Sequence, residues 1–340
     1  MKNDSPTGLA AAPTADLRDL YRTMARVRAL NDEAVRLQRQ GVLLGFAPCT
    51  GQEAAQVGSA AVLDRSRDFA FQTYRELGVA VTMGVDPAGL LAHYRGFADG
   101  GSYDIRATRV APIQSVVGGT ALHAAGFAMG AKLDASGGCA IAYLGDGATS
   151  QGEVHEAMNF AGVFGLPVVF FCQNNQWAIS VPASAQIAGG SVAARATGYG
   201  LPGVAIDGND VLEVYEATAE AVARARAGGG ATVIEALTYR LGPHATSDDP
   251  SRYRNAADAA PWRERDPLVV ARRRLEGENG AAGFLDEVER EAAAEVEGLR
   301  KRVLAIEAPT FEEQLALVYE QPPPSALAQG GKWLEENRLD

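Results

Sequence analysis

Apolar positions along this chain follow two periods. From residue 16 to 40, Leu17, Leu20, Met24, Val27, Leu30 and Val35 recur near helical spacing. That pattern predicts a long amphipathic helix, capped by Thr14 and stopped at Gly41. Short, mostly apolar runs come later, at 139–144, 167–172, 204–207 and 232–238. Runs of this length read as strands of a parallel sheet covered on both faces. Helix-length stretches lie between them. One leads from Gly45 to Glu53 and on through Val62. Another, rich in Ala and Gly, runs from Gln114-Ser115 through Ala131. A third starts at a Thr149 or Ser150 cap and ends near Gly165, and a fourth spans 211–227. Alternating strands and helices predict an α/β fold with a doubly wound, mostly parallel sheet flanked by helices. Beyond Asp266 the pattern turns charged and helical, at 267–275, 284–306 and 310–319. Pro322-Pro-Pro324 is expected to end the fold, with Trp333 docking onto it. The organisation expected is a loose tail (1–15), an α/β domain (16–265) and a helical extension packed on it (266–340).

Composition narrows the function classes. A net charge of −11 over 340 residues disfavours a nucleic-acid partner, whose phosphates require a basic face. Cys49, Cys139 and Cys172 are odd in number and lack C-x-x-C spacing, so they read as small buried hydrophobes in a reducing compartment. No apolar run reaches the roughly 18 residues of a membrane span. The first residues show neither a basic start nor a long apolar segment, so no signal peptide is expected. These readings place the protein in the cytoplasm, away from membranes.

The chemistry gathers at two strand ends. The 139–144 run delivers Gly145-Asp146-Gly147, and the 167–172 run delivers Gln173 and then, 26 intervening residues after Gly147, the Asn174-Asn175 pair. One β-α-β unit puts both clusters on the carboxyl edge of the sheet, where open α/β sheets bind ligands. Asp146 offers an anionic oxygen, Asn175 an amide oxygen, and the loop past Asn175 free carbonyls. Such a donor set suits Mg²⁺ shared with a substrate phosphate. The helix start after Gly147 would present N–H groups to the same anion. A tight turn before a helix is the plainer alternative. A dinucleotide site fits poorly, because the glycines run Gly145-x-Gly147-x-x-x-x-Gly152 and no acid ends the second strand.

With these spacings, and with Gly152-Glu-Val-His-Glu-Ala-Met-Asn-Phe160 and Gln173-Asn-Asn-Gln-Trp-Ala-Ile-Ser180, the chain resembles a known family. It is similar to the α chain of the first, decarboxylating component of 2-oxoacid dehydrogenase complexes, from about Leu17 to Tyr319. The resemblance implies thiamine diphosphate and Mg²⁺, with metal ligands at Asp146, Asn175 and the Trp177 backbone carbonyl. It implies cofactor contacts at Gly145, Gly147 and Ala148, and at Tyr74 and Arg75 on the diphosphate. Backbone groups at Ser115 and Val117 would hold the aminopyrimidine, with Val117 as the wedge that bends the cofactor. His244 would lie beside the diphosphate and the reacting carbon, in a loop ordered by Arg240, Asp248, Tyr253 and Arg254. His123 is expected to be packed, His155 structural, and Arg106 and Arg109 loop charges.

The same resemblance implies half an active site. The glutamate that activates the pyrimidine would come from a β chain in an α₂β₂ assembly, and the acyl group would pass to a lipoyl-bearing acyltransferase. Ala47 stands where some relatives carry a substrate-binding histidine, and Ala245 where mammalian relatives carry a regulatory phosphoserine, so no switch is expected at that position. The loop favours a branched-chain 2-oxoacid such as 2-oxoisovalerate over pyruvate. Pyruvate dehydrogenase and acetoin dehydrogenase α chains remain alternatives. So do a complete thiamine decarboxylase, which lacks its second half here, and a non-catalytic scaffold.

Overall fold

The computed structural model describes residues 15–97 and 103–336. The tail through Thr14 and the docking of Trp333 lie outside the described residues and side chains. Helix α1 (Leu17–Arg39) is capped by Asp16, whose side chain accepts from Arg18 N at 2.8 Å, so the cap is not Thr14. Its buried face carries Leu20, Met24, Val27, Leu30 and Leu37, and Gly41 follows its end at φ 77°. Helix α2 (Glu53–Ala60) is buried along its whole length. Three short helices follow, α3 (Leu77–Thr82), α4 (Pro87–His93) and α5 (Ile105–Thr108). The Ala- and Gly-rich stretch forms α6 (Gly119–Leu133), on which His123 is exposed and not packed.

The sheet contains β1 (Phe69–Phe71), β2 (Ala140–Gly145), β3 (Val168–Asn174), β6 (Gly203–Asp207) and β7 (Thr232–Leu237), in the order β1-β2-β3-β7-β6 and parallel throughout. A small separate hairpin pairs β4 (Trp177–Ala178) with β5 (Val181–Pro182). Register sets the chemistry. Gly145 pairs with Gln173 and Asn174 with Leu237, so Asp146, Asn175 and Thr238 leave the sheet side by side.

Alternation along the strands divides the core in two. Ile141, Tyr143, Val169, Phe171 and Ile234 face one cluster, while Ala142, Leu144, Phe170, Cys172 and Val233 face the other. The first cluster is covered by α1, α2 and α8 (Val211–Arg226), the second by α6 and α7 (Gly152–Phe164). Burying each large side chain contributes roughly 1.5–3 kcal/mol, enough to make both faces of the sheet obligatory contacts.

Two expectations about ends are corrected. The chain after Asp146 makes a 3₁₀ turn over Gly147–Ser150, and α7 begins only at Gly152 with Gln151 as a cap that offers no side-chain bond. Thr149 Oγ1 donates to Asp146 O at 2.7 Å, which closes the tight turn and leaves no Thr149 cap for α7. Nor do the prolines end the fold. Short α9 (Ala260–Glu264), α10 (Pro267–Leu275), α11 (Ala281–Ala305) and α12 (Phe311–Val318) are followed by α13, which starts at Pro324 and runs to Glu336. Proline is favoured in a first helical turn, where its missing N–H costs nothing. Helix α11 lies along α1, with Leu299 and Val303 buried, and several of its charges pair with α1. Arg22 reaches Glu287 and Glu291 at 2.9 and 3.0 Å, and Arg26 reaches Glu295 at 2.6 Å.

Candidate cofactor and metal site

A cavity of about 350 Å³ opens at the carboxyl edge of the sheet. Its walls include Tyr74 and Arg75 past β1, Ser115 and Val117 before α6, Gly145, Asp146, Gly147 and Ala148 past β2, Asn175 and Trp177 past β3, and His244 from the loop after β7. Every residue singled out as a cofactor or metal contact therefore borders one space. Gln52, Thr73, Glu76 and Gln173 border it as well. The sequence placed Gln173 in the polar cluster at this edge without giving it a role, and it pointed to none of the other three, because an isolated Gln, Thr or Glu carries no motif.

Local structure explains the presentation of each group. Asp146 sits where β2 ends, 1% exposed. Gly147 is required just after it, since a Cβ there would come within 2.6 Å of Ala178 Cβ. On the opposite wall Gly51, at φ 93°, turns the chain into α2, and a Cβ there would meet Tyr239 O at 2.6 Å. Buried Glu53 accepts from Gly51 N at 2.9 Å and pairs with Arg28, which holds Gln52 towards the cavity. Asn175 Nδ2 donates to Gln52 Oε1 at 3.1 Å, and Trp177 N donates to Asn175 Oδ1 at 3.2 Å. Beyond Asn175 the chain bends through Gln176 and Ile179, both at positive φ (72° and 53°). Non-glycine residues adopt this conformation only when their surroundings hold them there.

Arg240 supplies that hold. Its guanidinium is fully buried and donates to Trp177 O at 3.0 Å, Ile179 O at 2.6 Å and the Tyr253 hydroxyl at 3.1 Å. Arg254 donates to Arg240 O and Gly242 O, and Asp248 accepts from His244 N and the Tyr253 hydroxyl. Thr246 is tied to Phe46 by two bonds, N to O at 2.8 Å and Phe46 N to Oγ1 at 3.1 Å. The four residues read as loop-ordering thus lie within a single network around His244.

The electrostatics favour an anion and a cation together. Arg75 and Arg240 are buried, yet among the described residues neither forms an ion pair with a carboxylate. Arg75 donates instead to Pro48 O at 2.7 Å and His244 O at 2.8 Å. Burial, then the neighbouring Arg75, lowers the Arg240 pKa to about 10. Burial and the same two arginines lower His244 to about 4, so its ring is neutral at neutral pH. Arg75 Nη2 lies 3.1 Å from Nδ1 and can only donate, which leaves the ring proton on Nε2, 3.5 Å from the Tyr74 hydroxyl.

Asp146 behaves in the opposite sense. Burial raises its pKa to about 6, and its one side-chain partner is Gln186 Nε2 at 3.4 Å. Gln52 Nε2, in the same cavity, is buried without a partner. Among the described residues no cluster of three or more His, Cys, Asp or Glu could hold a metal. A cation here must therefore take one carboxylate together with amide and carbonyl oxygens, a set that fits Mg²⁺ sharing its remaining positions with phosphate. The Trp177 carbonyl accepts from Arg240 and has one lone pair left for such a role. Because protons compete for Asp146, the affinity for Mg²⁺ is expected to fall about tenfold per pH unit below about 6 and to be flat above it. Calorimetric titration of Mg²⁺ from pH 5 to 8 checks this; a flat profile down to pH 5 would remove Asp146 from the cation.

Other predicted residues lie elsewhere. His155 bonds to the Tyr199 hydroxyl, a structural contact, and Arg109, at the end of α5, donates to Arg65 O and Ser66 O in the turn before β1. Among the described residues, no helix is long and apolar enough to cross a membrane.

Comparison with known proteins places the chain in a family. The model of the dehydrogenase E1 component family matches residues 21–310. The 3-methyl-2-oxobutanoate dehydrogenase subunit alpha of Mycobacterium tuberculosis is 47% identical over 321 residues, covering 93% of this chain and 86% of that protein. The 2-oxoisovalerate dehydrogenase subunit alpha of Bacillus subtilis is 40% identical over 263 residues, covering 74% of this chain and 79% of its own length. The pyruvate dehydrogenase E1 component subunit alpha of Staphylococcus epidermidis is 38% identical over 320 residues, or 92% of this chain and 85% of its own length. With the family model spanning most of the chain and these relatives aligning along 74–93% of it, the chain belongs to the dehydrogenase E1 component family.

Proposed function

We propose that this chain is the α subunit of a 2-oxoacid dehydrogenase that uses thiamine diphosphate and Mg²⁺, acts with a β subunit, and hands its acyl product to a lipoyl group on an acyltransferase. The observation that carries this reading is the single cavity that Asp146 and Asn175 line together with Tyr74, Arg75 and His244. Asp146, Asn175 and the Trp177 carbonyl would hold the cation. Arg75 would take diphosphate charge by charge-assisted bonds, with the Tyr74 hydroxyl as a further donor. Ser115 and Val117, at the cavity mouth, would meet the pyrimidine end through their backbone groups. Bound there, the cofactor supplies an electron sink when CO₂ leaves a 2-oxoacid. His244 holds a proton at Nε2 towards the cavity, and the loop of residues 239–254 shields the site from water.

A branched-chain 2-oxoacid is favoured. The two relatives at 47% and 40% identity are named for 3-methyl-2-oxobutanoate and 2-oxoisovalerate, above the pyruvate dehydrogenase relative at 38%. Ala47 is buried beside Phe46 and brings no polar group to the substrate side, so contacts there are apolar. The test is to assay the chain with its β-type partner on 3-methyl-2-oxobutanoate and on pyruvate, using an artificial electron acceptor. A kcat/KM ratio of about tenfold or more for the branched acid is expected, since each fitting methyl is worth roughly 1–3 kcal/mol. Preference for pyruvate would shift the assignment to pyruvate dehydrogenase, and full turnover by the chain alone would overturn the two-subunit site.

A further inference from the structure

Tyr74 and Arg75 sit on a turn that hangs from the weakest element of the sheet, the three-residue strand β1. Something other than that strand must hold the turn, and the structure contains a buried polar chain that does so. Its first link is Gly78 N, a free amide in the first turn of α3, which donates to Gln56 Oε1 at 2.8 Å. That bond fixes which way the Gln56 amide faces. Gln56 Nε2 donates to Gln173 Oε1 at 3.0 Å and to Arg75 O at 3.1 Å. Gln173, so oriented, donates from Nε2 to Glu76 Oε1 at 2.8 Å. The other carboxylate oxygen of Glu76 accepts from Thr73 N and Thr73 Oγ1, each at 2.6 Å. Gln56, Glu76 and Gln173 are 3% exposed or less, so the chain is largely closed to bulk water.

We infer that Glu76 is a positioning residue for the proposed diphosphate site: as the terminal acceptor of this chain, it locks the Tyr74–Arg75 turn onto β3, the strand that carries Asn175. The inference rests on the cofactor reading above. Its physical content is direction. Every donor in the chain points towards Glu76, and both of its oxygens must accept. Burial raises the Glu76 pKa, and the bonds from Thr73 and Gln173 oppose that rise, as an acceptor role at both oxygens requires. An amide at position 76 cannot replace it. Whichever way the amide is turned, its NH₂ meets another N–H, either Gln173 Nε2 or Thr73 N. Exchanging the two residues, E76Q with Q173E, reverses one link and satisfies all of them. The amide now at position 76 would donate to the carboxylate now at position 173. Gln56 Nε2 would still find an acceptor, and both Thr73 donors would still find an oxygen.

The experiment uses the full-length chain assembled with its β-type partner, titrated with thiamine diphosphate at fixed Mg²⁺ and read by quenching of intrinsic fluorescence. Steady-state kinetics and the melting temperature of the cofactor-free protein are measured alongside. E76Q is expected to weaken binding about tenfold or more, since a buried donor left unsatisfied is costly. Its kcat at saturating cofactor should fall much less, so the loss appears as a raised cofactor KM. The reversed pair, E76Q/Q173E, is expected to return to within about threefold of wild type, as a restored hydrogen-bond order requires. A merely structural role would instead lower the melting temperature of the cofactor-free E76Q protein and leave the cofactor affinity of its folded fraction unchanged. Unchanged cofactor affinity in E76Q overturns the inference, as does a reversed pair no better than the single variant. If E76Q does not fold, the reversed pair decides: folding and near-normal affinity support the inference, and failure of either overturns it. Wild-type protein that binds no thiamine diphosphate overturns the cofactor reading itself, a separate outcome because it needs no variant.

Discussion

Asp146→Ala is expected to lose Mg²⁺-dependent binding of thiamine diphosphate by about a thousandfold or more, and turnover with it, because even outer-shell partners of a metal cost roughly 10–100-fold when removed. Asp146 is the one carboxylate among the proposed metal ligands, and among the described residues no cluster of three or more His, Cys, Asp or Glu could hold the metal in its place. The effect on the cofactor-free protein should have the opposite sign. The carboxyl of Asp146 is raised to about 6 by burial, against an ordinary value near 3.8. Between those pH values the unfolded chain holds fewer protons at this position than the folded one. Folding stability therefore falls as pH rises from about 4 to about 6, and the loss persists above that. Removing the carboxylate relieves this cost, so the cofactor-free variant should melt no lower than wild type at pH 7. Melting curves with and without Mg²⁺ and cofactor check both halves at once. A variant that still binds cofactor within tenfold of wild type would falsify the metal assignment.

His244→Ala is expected to lower kcat about a hundredfold or more, in the range a positioned proton donor or acceptor contributes. Cofactor affinity should change far less, because Arg75 and Arg240 keep their backbone partners at Pro48, Trp177 and Ile179. The pH behaviour separates a proton-holding role from a packing role. In the cofactor-free protein the ring titrates near 4, held down by burial and the two guanidiniums. Diphosphate would neutralise those guanidiniums, and so the ring pKa should move up on binding. The imidazole resonance followed by NMR with and without cofactor measures that shift. A pKa that stays near 4 in the complex, or a variant with wild-type kcat, would assign His244 to packing alone.

Much of the fold could be read from the chain. The 139–144, 167–172, 204–207 and 232–238 runs all became parallel strands within one or two residues, because strands covered on both faces leave short, mostly apolar runs. The Pro267–Leu275 helix matched at both ends. The strand Phe69–Phe71 went unseen. Three residues carry no period, and its pairing with β2 brings together positions about seventy apart in sequence. The cap expected at Thr149 failed for a similar reason. Its hydroxyl had two ways to satisfy a backbone group, and the turn at Asp146 took it.

The candidate site divides along the same line. Asp146, Asn175 and His244 could be named from sequence, because each stands at the end of a periodic run or in a loop of unusual composition. That they share one cavity with Tyr74, Arg75, Ser115 and Val117 followed from resemblance, and the tertiary structure alone supplied the distances. No motif assigned a role to Gln52, Gln56 or Glu76, and Gln173 was read only as part of the polar cluster at the end of its strand. Hydrophobic patterning is local and is written into consecutive residues, so the sequence determined the strands, most of the helices and the edge on which the polar clusters emerge. Hydrogen-bond direction, burial and the proton balance of Asp146 and His244 depend on atoms brought together from distant segments. These were decided only when the chain had folded.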